Sequence, residues 1–191
     1  MVVSGYKRAL DLAMTELMTR APESIAENTG VIWDGWDFVI PWFGRLTPYQ
    51  EGSIEERIIW SHYMLGQGPK ALRNRHITFR QVPGAAIYSE NFTKRCVNPM
   101  VKTFKSDLSG FLTAGARLGG SRVEMGHMAF VTRALPYIPL TFVIWQGDDE
   151  VPAGGNILFD ESVIEWLCPE DLVVITGMPV YKMIKSVKSY E

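Results

Sequence analysis

The chain has 191 residues, 47% hydrophobic and 21% charged, with a formal net charge of -2 and a pI near 6.0. That composition suits one folded domain with a sizeable core and excludes a disordered chain. The near-neutral charge gives no global electrostatic case for nucleic acid or an anionic membrane, and no apolar run approaches the ~18 residues that cross a bilayer.

Residues 1–30 read as an N-terminal helix and a connector. Tyr6, Leu10, Ala13, Leu17 and Met18 recur at helical spacing, and Ser4 is placed to cap the start. Ala21-Pro22 ends the helix, because the residue before proline is pushed out of the helical region. The opening M-V-V-S-G-Y-K-R-A-L-D has no charged region followed by an apolar one, so no signal peptide is expected. Cys96 and Cys168 are too few for a disulfide framework, and the expected compartment is the reducing cytoplasm.

The aromatic block that follows holds Trp33, Trp36, Phe38, Trp42, Phe43 and Tyr49, and predicts short strands joined by turns. Pro41 and Pro48 predict an edge strand or a bulge there. Ser53-Ile54-Glu55-Glu56 is a capping box that opens a helix over 54–65, with Ile54, Ile58, His62 and Leu65 on one face. The alternation over 77–82 predicts a strand ending at the Pro83-Gly84 turn. Ser106 starts a helix lined by Leu108, Phe111, Leu112 and Leu118 and closed by Gly119-Gly120.

Strands are expected over 128–132 and 138–145, then a short helix over 161–167. Pro169-Glu170-Asp171 starts a last helical segment, which Gly177 and Pro179 interrupt. Residues 177–191 then read as a helical tail and 31–176 as the core of a single globular domain spanning 1–191. Strands and helices are mixed without regular alternation. The expected class is α+β, a mixed or mainly antiparallel sheet with helices packed on it.

The most informative stretch is W-Q-G-D-D-E-V-P-A-G-G-N-I-L-F-D at 145–160, an acidic turn between two apolar runs. Asp148, Glu150, Asp160 and the Asn156 amide are oxygen donors of the kind hard cations take, although the spacing is not that of a calcium loop. The same residue types make solvated turns and helix caps, and that reading is preferred. Asp160 is then the cap of the helix beginning at Glu161, accepting an amide N–H from Ser162 or Val163. The candidate ligand-binding set is Arg45, His127, Trp145, Asp148, Asp149, Glu150 and Asp160, as a groove rimmed by Trp145, the acidic turn and Arg45.

The chain lacks a phosphate-cradling P-loop, a dinucleotide fingerprint, H-E-x-x-H and G-x-S-x-G, so no motif indicates a cofactor or a reaction. Gly115–Gly120 is glycine-rich but ends a helix, the wrong polarity for a phosphate. His62, on an apolar face, reads as a core or groove residue, and His127, before a strand, as a ligand or general base. Lys94-Arg95 would lower the pKa of Cys96 and make it the better candidate nucleophile, whereas Cys168 at a helix end would be raised; a structural or incidental cysteine is the preferred reading of Cys96. Lys70, Arg73, Arg75, Arg80, Lys94 and Arg95, interleaved with Phe79, Tyr88 and Phe92, form a basic middle, read as a solvated face.

Several collinear pieces carry a family resemblance. They are F-G-R-L at 43–46, E-E-R-I-I-W-S-H-Y-M-L, I-T-F-R-Q-V-P-G-A-A-I-Y, L-G-G at 118–120, P-L-T-F-V-I-W-Q-G-D-D-E-V-P-A, the I-L-F-D run ending at Asp160, and W-L-C-P-E-D-L. Over about 38–176 the chain resembles the prokaryotic family of domains of unknown function numbered 3786, found mainly in anaerobic bacteria and archaea. The resemblance implies no defined activity. It implies a setting in anaerobic one-carbon or corrinoid metabolism, with iron–sulfur segments joined to some members; this chain has no cysteine cluster to hold one. It also implies an acidic residue after the glycine where Gly126-His127 stands here.

Two function classes follow. One is a non-catalytic accessory module of anaerobic metabolism that binds a small ligand, cofactor or protein partner. The other is a hydrolase or transferase, metal-dependent through Asp148, Glu150, Asp160 and His127 or thiol-dependent through Cys96.

Overall fold

The computed structural model describes residues 2–188. Helix α1 (Val2–Leu17) contains Ser4 within its first turn; the Ser4 side chain lies outside the described residues. Ala21 is extended and Pro22 opens α2 (Pro22–Thr29), closed by Gly30 in the left-handed region. The expected connector is therefore largely helical: α1 has already ended at Leu17, before the expected stop at Ala21-Pro22, and Pro22 pre-sets the first turn of α2.

The aromatic block forms a three-stranded antiparallel sheet of β1 (Ile32–Trp33), β2 (Phe38–Trp42) and β3 (Arg45–Pro48). β2 is central, which corrects the edge-strand expectation for Pro41. The two-residue turn Phe43-Gly44, both at positive φ, makes Trp42 and Arg45 a hydrogen-bonded pair. Alternation then leaves Pro41 and Pro48 at non-bonded positions, where a missing N–H costs nothing. β1 pairs only with Phe38 and Val39, so it asks nothing of Pro41 on the other side.

Helix α3 (Ile54–Leu65) begins at the expected capping box. Ser53 Oγ accepts the Glu56 amide N–H at 3.2 Å, and Glu56 Oε2 accepts that of Ser53 at 3.0 Å. The predicted strand over 77–82 is shortened to β4 (His76–Thr78), because the Gln81 side chain reaches back to the Thr78 amide and turns the chain into a 3-10 turn. A helical region not anticipated from the sequence follows: α4 (Ser89–Phe92), a π-helical turn at Thr93–Val97 and α5 (Asn98–Phe104). Pro99 has no N–H for the carbonyl of Arg95, and the helix widens immediately before it.

Helix α6 (Leu108–Ala116) is capped by Asp107, which accepts the Gly110 amide at 2.8 Å, rather than started by Ser106. Its end is as expected: Gly119 has φ +69°, and the amides of Gly119 and Gly120 return to the carbonyls of Ala116 and Gly115.

The second sheet is antiparallel, ordered β4-β8-β7-β6-β5, with β5 (Ser121–Val123), β6 (Met128–Leu135), β7 (Ile138–Trp145) and β8 (Gly154–Asp160). The chain is α+β with antiparallel sheets, as its composition of elements predicts. Phe130, Phe142 and Ile157 stand side by side across the sheet on the face that meets the helices, and Phe111 packs on Phe130. Phe79 stacks on Phe92 at 4.2 Å, and both lie against Phe159. The Phe43 amide donates to Ala134 O at 3.3 Å and joins the small sheet to β6.

The 161–167 segment is a 3-10 turn at Glu161–Glu165 rather than an α-helix. Helix α7 (Pro169–Lys188) then runs unbroken for 20 residues through Gly177 and Pro179, which corrects the expected interruption. Ile175, Val180 and Met183, on either side of Pro179, are buried in the core, and that burial outweighs the lost helix hydrogen bond. The expected tail is thus the second half of a core helix that meets α3, α5 and α6; residues 189–191 lie outside the described ones.

Candidate functional site

The acidic turn is a solvated hairpin tip between β7 and β8. Asp148 Oδ1 accepts the amides of Glu150 at 2.9 Å and Val151 at 2.7 Å, and Asp149 and Glu150 are exposed. The Val151 and Glu150 amides hold the Asp148 carboxyl below the usual range. Asp160 sits at the opposite end of the seven-residue β8, at ~3.4 Å per residue roughly 20 Å away. Asn156 Oδ1 accepts the Ile157 amide. The candidate metal set of Asp148, Glu150 and Asp160 does not converge. Among the described residues no three His, Cys, Asp or Glu side chains are arranged to hold a metal ion.

Asp160 is buried and caps the 3-10 turn. Its Oδ1 accepts the Ser162 amide at 3.0 Å, the Ser162 hydroxyl at 2.6 Å and the Arg73 amide at 3.0 Å. Burial raises its pKa, but the Ser162 hydroxyl and the amides of Ser162, Arg73 and Asn74 outweigh burial and hold it low.

His127 and Trp145 do meet the acidic turn. His127 Nδ1 accepts the Gln146 amide at 2.7 Å, which places the proton of the neutral ring on Nε2. Gly126, at φ +60°, lies against Val143 and Trp145. Arg45 does not join them. Its hairpin is fastened at Ala134, towards the far end of β6 from Met128, so the expected groove is not formed. Arg45 instead lines a small cavity with Arg117 and Lys182.

Cys96 is fully buried on the π-helical turn, and burial pushes its thiol up to about 12, outweighing Arg95. The expected activation is reversed, because desolvation of a thiolate exceeds one exposed guanidinium. The basic middle is largely paired: Arg73 with Glu165, Arg75 with Glu161, Lys94 with Glu90 and Lys70 with Glu27.

A wider concavity lies elsewhere, between α1, α3 and α7. It is a groove of about 710 Å³ with apolar walls that include Ile58, Val174 and Met178. Its polar floor is a hydrogen-bonded chain. Asp171 Oδ1 lies 2.9 Å from His62 Nδ1, and Asp171 Oδ2 accepts the Cys168 thiol at 3.2 Å. The Asp171 hydrogen bond raises the pKa of His62 against the opposing effect of burial. Cys168 is raised chiefly by burial, with the Asp171 carboxylate adding to it. Cys168 stands before the first turn of α7, not at the end of a preceding α-helix, so the expected cause of its shift is replaced.

Asp171, rather than His62, is the middle member of this chain. The geometry therefore sets a thiol S–H and an imidazole Nδ1–H on one carboxylate; it does not prepare a thiolate. Glu55 and Glu170 add further negative charge at the rim, and Arg95, on the widened π-helical turn, is the cation facing them.

Sequence reasoning left His62 as a core or groove residue and missed Asp171 and this use of Cys168. The available signal was the C-P-E-D run at 168–171, which puts a thiol and a carboxylate three residues apart at a helix start.

The arrangement defines an α+β chain with an acidic, apolar-walled groove. The family model described as domain of unknown function, DUF3786, matches residues 21–182, and the chain belongs to that family. No curated protein and no solved structure matches the chain.

Proposed function

We propose that this chain is a cytoplasmic accessory module of anaerobic metabolism that binds a small molecule in the groove between α1, α3 and α7. The observation that carries the reading is the His62–Asp171–Cys168 chain on the floor of a groove of about 710 Å³. Small-molecule sites are mostly apolar concavities of roughly 300–1,000 Å³ with a few placed polar groups, and this groove has that make-up. The free thiols of Cys96 and Cys168 support a reducing compartment, and the family resemblance supports the metabolic setting.

The chemistry of the ligand follows from the charges. Asp171 retains lone pairs beyond its two bonds, and Glu55 and Glu170 outnumber Arg95 at the rim. The matching molecule has an apolar body and an amine or other cationic donor head.

A thermal-shift screen of organic amines against carboxylates of equal size tests this. Amines raise the melting temperature by mass action, and the rise is lost in Asp171→Asn and in Met178→Trp, which fills the groove. A panel in which no amine stabilises the protein at millimolar concentration, or in which Met178→Trp responds like the parent, overturns the reading.

A further inference from the structure

A second concavity, of about 330 Å³, lies between the end of α1, α2 and the loop at 66–69 that follows α3. Its lining is polar and carries no acid: Arg20, Ser24, Asn28, Gln67 and Lys70 surround one edge of Trp166. Trp166 is 4% exposed, and its indole N–H is buried without a hydrogen-bond partner. Buried N–H groups are nearly always paired, so an orphan in a cleft wall marks the place of a missing acceptor.

Trp166 is held firmly. Tyr63 stacks on it at 4.8 Å and Tyr137 at 5.4 Å. Gly66 and Gly68 lie directly against the indole, and a side chain at Gly68 would strike Nε1. The backbone strap is thereby kept thin over the N–H, and nothing in the strap accepts from it.

The two cations in the lining are positioned rather than free. Arg20 gives one nitrogen to Leu65 O at 3.1 Å and the other to Glu16 at 3.2 Å, while Lys70 lies 3.7 Å from Glu27 and is half exposed. Both acids stand outside the cleft lining, which itself carries the two cations and no acid. Asn28 Nδ2 donates to Ser24 Oγ at 3.3 Å, and an oxyanion supplies acceptors for Trp166 Nε1, the Ser24 hydroxyl and Gln67, with charge for Arg20 and Lys70.

We propose that this cleft is an oxyanion site for a small carboxylate or phosphate, with the Trp166 indole N–H, in the wall beside the 66–69 loop, as the buried donor. It is separate from the amine groove and does not depend on it.

The test reads the indole N–H signal of Trp166 by two-dimensional NMR, identified by its loss in Trp166→Phe. Acetate, inorganic phosphate and chloride are titrated at constant ionic strength. The signal moves downfield and saturates with acetate, with phosphate or with both, which tells a carboxylate site from a phosphate site. Arg20→Gln and Lys70→Gln, which leave the aromatic stack intact, each weaken the response at least tenfold. A signal that does not saturate, that responds equally to chloride as an adventitious ion only, or that is unchanged in both Gln variants overturns the proposal.

Discussion

His62 and Asp171 are 109 positions apart, yet Nδ1 of one lies 2.9 Å from Oδ1 of the other, tying α3 to α7 across the floor of the groove. The pair has a pH signature. The pKa of His62 is raised above 6.5 by its bond to Asp171, so its stabilisation is fully present below the unfolded value and is lost as pH rises through the folded value. Urea midpoints from pH 5 to 9 for the parent and His62→Gln check this. The gap between the two proteins closes as pH rises; a gap that widens means the imidazole is not held charged.

The thiols differ in how they are withheld. Cys96 is buried with its thiol pushed up to about 12, and Cys168 is raised by burial and by Asp171. In the native protein iodoacetamide spares Cys96 and modifies Cys168 more slowly than a free model thiol. Asp171→Asn speeds the Cys168 reaction by removing the adjacent negative charge. Peptide mapping of modified protein reads both, and native-state labelling of Cys96 at a free-thiol rate contradicts the account.

Asp160 Oδ1 alone accepts three hydrogen bonds, and the Asn74 amide adds a further contact to the carboxylate. Asp160→Asn keeps an oxygen in that place and costs less than about 1 kcal/mol, since asparagine caps about as well. Asp160→Ala strands the buried amide of Ser162 and the part-buried amide of Arg73 and costs on the order of 2 kcal/mol. Denaturation midpoints decide; equal losses for Asn and Ala mean that the charge, not the cap, holds the turn.

Gly44 and Gly119 meet back to back, each at positive φ, with room for no Cβ: one added at Gly119 falls 2.9 Å from the Gly44 Cα. Gly119→Ala costs about 2 kcal/mol or more, from left-handed strain together with the backbone clash. Gly154→Ala, which meets nothing within 4 Å, is near neutral. The same denaturation experiment ranks the two, and a mild Gly119→Ala refutes the close approach of hairpin and helix end.

Local chemistry was legible in the sequence, and distant pairing was not. The Ser53–Glu56 box, the Gly119-Gly120 helix end and the Asp160 cap each depend on groups within a few residues, so their residue types announce them. Pro179 misled for the opposite reason: its local cost is real, but burial of the residues around it overrides it. The acidic turn drew attention because its carboxylates are close in sequence, whereas β8 carries Asp160 away from Asp148. The His62–Asp171 pair depends on α3 packing against α7, which no spacing in the chain encodes.

The central claim is that the groove between α1, α3 and α7 is the ligand site, and methionine methyl NMR tests it most directly. Met178 lines the groove, while Met128 stands beside His127 at the end of the sheet that carries the acidic turn. Titration with a stabilising amine shifts the Met178 methyl signal saturably and leaves Met128 in place. Saturable movement of Met128 with Met178 unmoved contradicts the account and returns the site to the acidic turn.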